Sequence, residues 1–255
     1  MLLIILFIYG SCTGFLLVAM ASRYATGGSY LFPASHCDTC QTPLTYWQLV
    51  PILSYTLLRG KCQTCGRMIP AITVGVEVIA GLLATTVTDS TSLIIVLWLA
   101  LWGFAALCDW QTQTFPGWVS WLTTGLSLWG QSPVVWLTGC VLLLTIRLLW
   151  PHWHHPTIGD GDLEMMVSYS LLWGVTSTAQ WLLAACLLGL WQSRAGTRIA
   201  FLPDLMVSAV GWWLVFCEEG CLCGAETTKA SNISGHNSFV RFFRLTKISS
   251  LAGSC

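Results

Sequence analysis

Residues 1–21, MLLIILFIYGSCTGFLLVAMA, hold no charged side chain, and the first cation, Arg23, follows directly. About 20 consecutive apolar residues cover the hydrocarbon core of a bilayer, so this stretch predicts a spanning helix. Ala19-Met20-Ala21 has the small-residue form of a signal-peptide cleavage site. No positive charge precedes the apolar run, however, and the reading taken is an uncleaved anchor that starts outside and brings Arg23 inside.

The rest of the chain is ordered by that assignment. Residues 22–70 are polar and carry Arg23, Arg59, Lys61 and Arg67 against the single acid Asp38, which places them in the cytoplasm by the positive-inside rule. Apolar segments near 71–88, 91–108, 117–130 and 133–150 then run alternately outward and inward. The stretch 163–191 is too long for one upright helix and reads as two short ones meeting near Gly174 to Ser177. A last span is expected near 200–217. The tail after it, rich in Ser, Gly, Thr and Asn, reads as a flexible appendage. Its cations Lys229, Arg241, Arg244 and Lys247 prefer the cytoplasm, although the span count sends it outside. The expected fold is an all-α polytopic membrane protein of about seven or eight transmembrane helices with a small cytoplasmic insert.

Composition agrees. Hydrophobic residues make up 55% of the 255 and charged ones only 9%, against about 25% in a soluble domain. Lipid is therefore the expected surrounding. The eleven basic residues are balanced by eleven acidic ones and are scattered, so no face is built to neutralise a row of phosphates, and nucleic acid is not an expected partner. Fifteen tryptophans suit the aromatic belts of a membrane interface.

Of twelve cysteines, Cys12, Cys108, Cys140 and Cys186 sit in apolar runs, where a thiol behaves as a small hydrophobe. Four others form two Cys-x-x-Cys pairs, Cys37 with Cys40 and Cys62 with Cys65, separated by 21 residues. That is the spacing of a tetrahedral zinc site. Two disulfides are the competing reading, but a cytoplasmic loop is reducing, and a module of about 40 residues needs a staple to fold. With all four positions supplied by protein, the zinc expected at Cys37, Cys40, Cys62 and Cys65 is structural. His36 adjoins the first pair and reads as a solvated loop residue.

Two acids stand where the chain leaves the bilayer. Asp109 ends the apolar run from Leu93 to Cys108, shortly before a turn at Pro116. An ionisable residue at membrane depth is a functional candidate, although a carboxylate marking a helix end is the plain alternative. Asp162 lies in Gly159-Asp160-Gly161-Asp162, where Gly161 admits close approach of a backbone or a peptide. An N-cap is the alternative for Asp162, Asp160 is the weaker candidate, and Glu164 reads as orienting or as surface polarity. The span count returns Asp109 and Asp162 to one face. Two carboxylates within hydrogen-bonding distance cannot both ionise freely, and such a pair activates water for attack on a peptide carbonyl. His152, His154 and His155 could bind a metal, but Pro151 and Pro156 fragment their segment, which reads as a wet interfacial loop.

These residues resemble the type IV prepilin peptidases, membrane aspartyl proteases of the Gly-x-Gly-Asp group. The similarity covers roughly 10–203 and includes Gly10-Ser11, the cysteine module, Pro43-Leu44, Val50-Pro51-Ile52-Leu53-Ser54-Tyr55, Leu58-Arg59-Gly60-Lys61-Cys62 and Glu77. What the resemblance implies is catalysis by Asp109, which precedes Gln113 and Pro116, and by Asp162 of the Gly-x-Gly-Asp motif. It also implies cleavage of the leader of pilin-like precursors after a glycine at the cytoplasmic face, within the cell's inner membrane. Many members then N-methylate the new terminus with S-adenosylmethionine. The implied organisation is a first transmembrane helix (1–21), a zinc module (22–70), a transmembrane aspartyl protease domain (71–218) and a tail (219–255). The chain departs from the family at Glu164, where a lysine is common, at Gly117, where Asn or Asp follows the proline, and at Ile199-Ala200-Phe201-Leu202-Pro203, a degraded Ile-Pro-Phe-like stretch. A zinc-stapled scaffold or small-solute carrier is the alternative function, and cleavage inside the bilayer, as in presenilin-like proteases, is a further one.

Overall fold

The computed structural model describes residues 1–30, 35–37, 39–149, 159–193 and 200–223. Through them run α1 (Leu2–Ala25), α2 (Leu53–Leu57), α3 (Ala71–Thr85), α4 (Ser90–Thr112), α5 (Trp118–Ser127), α6 (Pro133–Leu149), α7 (Asp160–Ser193) and α8 (Leu202–Cys223), with a 3-10 turn at Tyr46–Leu49. Among the described residues, β structure is limited to two isolated bridges, His36 with Pro43 and Lys61 with Met68. Helices α1, α4 and the stretch Gly161–Gln192 of α7 are long and apolar enough to cross a membrane, while α3 and α6 are apolar but shorter. Two compact units make up the chain, Met1–Val215 and Phe216–Cys255. The expected site residues lie in the first. Of the second, only the end of α8 is described, so most of the expected flexible tail lies outside the described residues, as do His152, His154 and His155.

Helix α1 packs against α3 at backbone distance. A Cβ added at Gly14 would lie 2.9 Å from the Ala80 Cβ, and one at Gly81 would lie 2.6 Å from the Ser11 Oγ. Small residues at a helix crossing let dispersion contacts form where lipid removes the hydrophobic drive for association.

Helix α5 has its polarity inverted. Ser120, Thr123, Thr124 and Ser127 are buried, whereas Trp118, Trp121 and Leu122 are exposed. The Thr123 hydroxyl donates to the Val119 and Ser120 carbonyls and Ser127 Oγ to that of Thr123, so two of the four hydroxyls bond back to their own helix inside the bundle while the rings face outward. A soluble helix would show the reverse. The expected span at 117–130 is thus a helix of ten residues, about 15 Å long and half a hydrocarbon core.

Helix α7 turns back on itself. Gly174 has φ 79° and ψ 167°, a conformation open essentially to glycine alone. Tyr169 and Trp181 consequently stack with centroids 4.1 Å apart, although twelve residues of straight helix would separate them by about 18 Å. The break near Gly174 expected from the length of this segment is present, and side chains take up carbonyls around it. Thr178 Oγ1 donates to the Gly174 oxygen at 2.8 Å and Gln131 Nε2 to that of Leu171 at 3.3 Å.

The core forms around α4. Trp98, Trp102, Tyr169 and Trp181 are fully buried or nearly so, with Trp98 edge-on to Tyr169 and to Trp173. The Trp102 indole donates to Ser168 Oγ at 3.2 Å, and that of Trp181 to the Leu205 carbonyl at 3.0 Å. Aromatic packing and the Trp102 bond tie α4 to the first arm of α7, and the Trp181 bond ties the second arm to α8.

Candidate functional site

Asp109 stands in the last turn of α4, which ends on Gln113 in the left-handed region, φ 55°. The Gln113 N–H donates to the Asp109 carbonyl at 2.9 Å, closing the helix as an αL cap does. The chain then turns through Phe115 and Pro116 into α5. The Phe115 ring packs edge-on to Trp102 with centroids 6.0 Å apart, and on its other side it meets Gly161. A Cβ at Gly161 would stand 2.6 Å from Phe115 Cζ. The space opened by that glycine is therefore taken by Phe115, and this contact brings the start of α7 down to the end of α4.

Asp162 lies inside the first turn of α7, because the helix begins at Asp160. It is not the N-cap. Its carboxylate reaches back to the backbone N–H of Gly159, the backward half of a capping box, so the capping alternative keeps a share of the truth in another form. The Asp109 carboxylate accepts the N–H of Leu202, at the start of α8. Each acid is thereby held by one main-chain donor and interacts electrostatically with the other.

Both carboxylates line one cavity of about 470 Å³, together with Gln113, Phe115, Arg147, Gly159, Glu164 and Leu202. Glu164 is not surface polarity: its side chain is 4% exposed and meets Arg147 Nε at 2.8 Å. Asp160 begins the helix, and its side chain lies outside the described residues. Sequence reading missed Arg147, Phe115 and Leu202. Arg147 carried a signal, as a cation ending an apolar segment; Phe115 and the Leu202 N–H carried none, since a ring and a main-chain donor have no chemical signature in a string.

The cysteine module is built from two similar turns. The Cys37 N–H donates to the Thr42 carbonyl at 3.0 Å, and the Cys62 N–H to that of Arg67 at 2.8 Å. Four residues after each first cysteine the chain enters the left-handed region, at Gln41 (φ 56°) and Gly66 (φ 70°). The four Sγ atoms lie within 4.8 Å of one another, with Cys37 to Cys65 at 3.8 Å and Cys40 to Cys62 at 3.9 Å. Tetrahedral zinc–sulfur bonds of about 2.3 Å require sulfurs about 3.8 Å apart, so the set fits zinc. The Thr42 hydroxyl and backbone N–H bring the Cys40 thiol down to about 6. At Cys65 the Arg67 N–H acts in the same direction, but desolvation and the three neighbouring sulfurs outweigh it and push the thiol up to about 11. Four thiols in one place cannot all ionise without a cation among them.

Glu77 links this module to the helices. It is 4% exposed, and its Oε2 accepts the N–H of Ile52 at 2.7 Å. Ile52 has φ 61°, a rare conformation for a β-branched residue, which the buried carboxylate helps to hold.

Comparisons with known proteins agree on one family. The model of the bacterial peptidase A24 N-terminal domain matches residues 8–90. A prepilin leader peptidase/N-methyltransferase of Neisseria gonorrhoeae is 28% identical, covering 71% of this chain and 76% of its own length. Proteins of the same name from Myxococcus xanthus and Bacillus subtilis are 27% and 25% identical, over 76% and 74% of this chain and 65% and 80% of their own. No solved structure matches the chain.

Proposed function

We infer that the chain, similar to the prepilin leader peptidases/N-methyltransferases over most of its length and to the bacterial peptidase A24 N-terminal domain over residues 8–90, is a membrane aspartic endopeptidase cleaving the leader of pilin-like precursors, with Asp109 and Asp162 as its catalytic pair. The observation that carries this reading is that both carboxylates line one cavity at the ends of apolar helices. One carboxylate takes a proton from water as its oxygen attacks the scissile carbonyl carbon, while the protonated partner donates to the carbonyl oxygen. The tetrahedral adduct collapses as the amide nitrogen receives a proton and the C–N bond breaks. No covalent enzyme intermediate is needed.

The zinc expected at Cys37, Cys40, Cys62 and Cys65 is a structural clamp on the module. The relatives' name includes N-methyltransferase, which supports methylation of the new terminus by S-adenosylmethionine here as well. Lipid surrounds the helices in the cytoplasmic membrane, in about seven or eight crossings, with the cavity facing the cytoplasm. In this scheme 1–21 is the first crossing, 22–70 the zinc module, 71–218 the protease domain and 219–255 an appendage.

Co-expression with a pilin-like precursor and mass spectrometry of its N-terminus tests the reading. Wild type should yield the shortened product, and Asp109→Asn or Asp162→Asn should leave the precursor whole while the protein remains in the membrane. Cleavage retained by either variant refutes the pair. A product one methyl group heavier reports the second activity.

A further inference from the structure

We propose that Arg147 is a positioning residue of this active site, holding Asp162 in place through Glu164; the proposal rests on the aspartic peptidase reading above. Arg147 occupies the last turn of α6. Its Nε donates to Glu164 Oε1 at 2.8 Å, and its Nη2 donates to Glu164 Oε2 at 3.4 Å and to the Gly117 carbonyl at 3.1 Å. The guanidinium also lies over the Trp121 ring, 5.4 Å from its centroid. One side chain thus joins α6, the entry to α5 and the first turn of α7.

Glu164 is two residues past Asp162 in that same turn, so fixing its carboxylate fixes the rotation of the turn that presents Asp162. Phe115 against Gly161 sets how near α7 comes; Arg147 sets how it is turned. A surface ion pair would contribute little, but Glu164 is nearly inaccessible, and removing its partner would leave a buried charge uncompensated. The guanidinium is suited to the task because its planar fork reaches two acceptors at once, which an ammonium does not reproduce.

The pair also sets the charge in the cavity. Its described lining holds Asp109 from α4, Asp162 and Glu164 from α7, and Arg147 from α6; α8 brings the uncharged Leu202. Arg147 is the one cation there among the described residues.

The experiment uses the full-length protein in native membranes with a purified pilin-like precursor. Arg147→Met should lower kcat about tenfold or more with little change in KM, because misplacing a reacting group slows chemistry rather than binding. Arg147→Met and Glu164→Gln should displace the pH profile of cleavage in opposite directions, since one removes a positive and the other a negative charge beside the same two aspartates. The exchange R147E with E164R should recover more activity than either single variant. An unchanged kcat in Arg147→Met overturns the proposal, and so does a loss that follows folded-protein yield with an unmoved pH profile. Should wild type fail to cleave, the peptidase reading falls by itself. Thermal unfolding in detergent still judges the contact without substrate: Tm shifts of Arg147→Met, Glu164→Gln and the double variant should be non-additive, and additive shifts refute it.

Discussion

At Gly161 the Phe115 ring fills the space that any side chain would need. The contact is between a backbone and the edge of a half-buried ring held against Trp102, so a Cβ can be admitted only if the ring or the turn shifts. Gly161→Ala should displace the first turn of α7 and with it Asp162, lowering cleavage about a hundredfold, and Phe115→Leu should restore part of the loss by making room. Precursor cleavage in membranes checks both, and wild-type activity in Gly161→Ala would show that the turn tolerates the shift. The glycine's importance was legible in Gly159-Asp160-Gly161-Asp162. Its tenant was not, because Phe115 lies on the far side of the α4–α5 turn, and no local pattern connects the two. Glu164 teaches the same lesson. Orientation and surface polarity were both open for it in the sequence, and burial against Arg147 excludes surface polarity.

At the scale of the helix, α7 depends on one backbone conformation. Only glycine adopts the Gly174 angles without strain, and a side chain there costs about 1–3 kcal/mol. Gly174→Ala should lower Tm in detergent by several degrees for a chain of this size and quench the environment shared by Tyr169 and Trp181, read by near-UV circular dichroism. An unaltered melt would mean that the break has another cause. The cysteine module makes a separate prediction. One zinc per chain should be found, and Cys40→Ser or Cys62→Ser should abolish it. Metal should leave as pH falls, because protons compete for the thiolates that bind it. Bound zinc holds all four sulfurs ionised against protons, so the metal leaves only when acid is strong enough to outcompete it. Metal analysis after dialysis at stepped pH reads this, and retention at strongly acid pH would contradict thiolate ligation.

For the whole molecule the question is which side each end of each helix meets. Cysteine labelling from either face of sealed vesicles should find Arg23, Asp109 and Asp162 positions on the same side as the cysteine module. A map with the two aspartates on opposite faces defeats the catalytic pair. Charge placement and apolar length were enough to predict an all-helical architecture, because a bilayer forces every backbone polar group to be satisfied within its own segment. The same economy located the cysteine quartet and both aspartates, since metal ligation and ionisable groups at membrane depth impose residue types and spacings that a string records. Whether Asp109 and Asp162 share a cavity was a matter of tertiary structure. It turns on a ring beneath a glycine, a guanidinium joining three helices and the N–H at the start of α8, all contacts between residues far apart in the chain whose partners are chosen by packing rather than by local pattern.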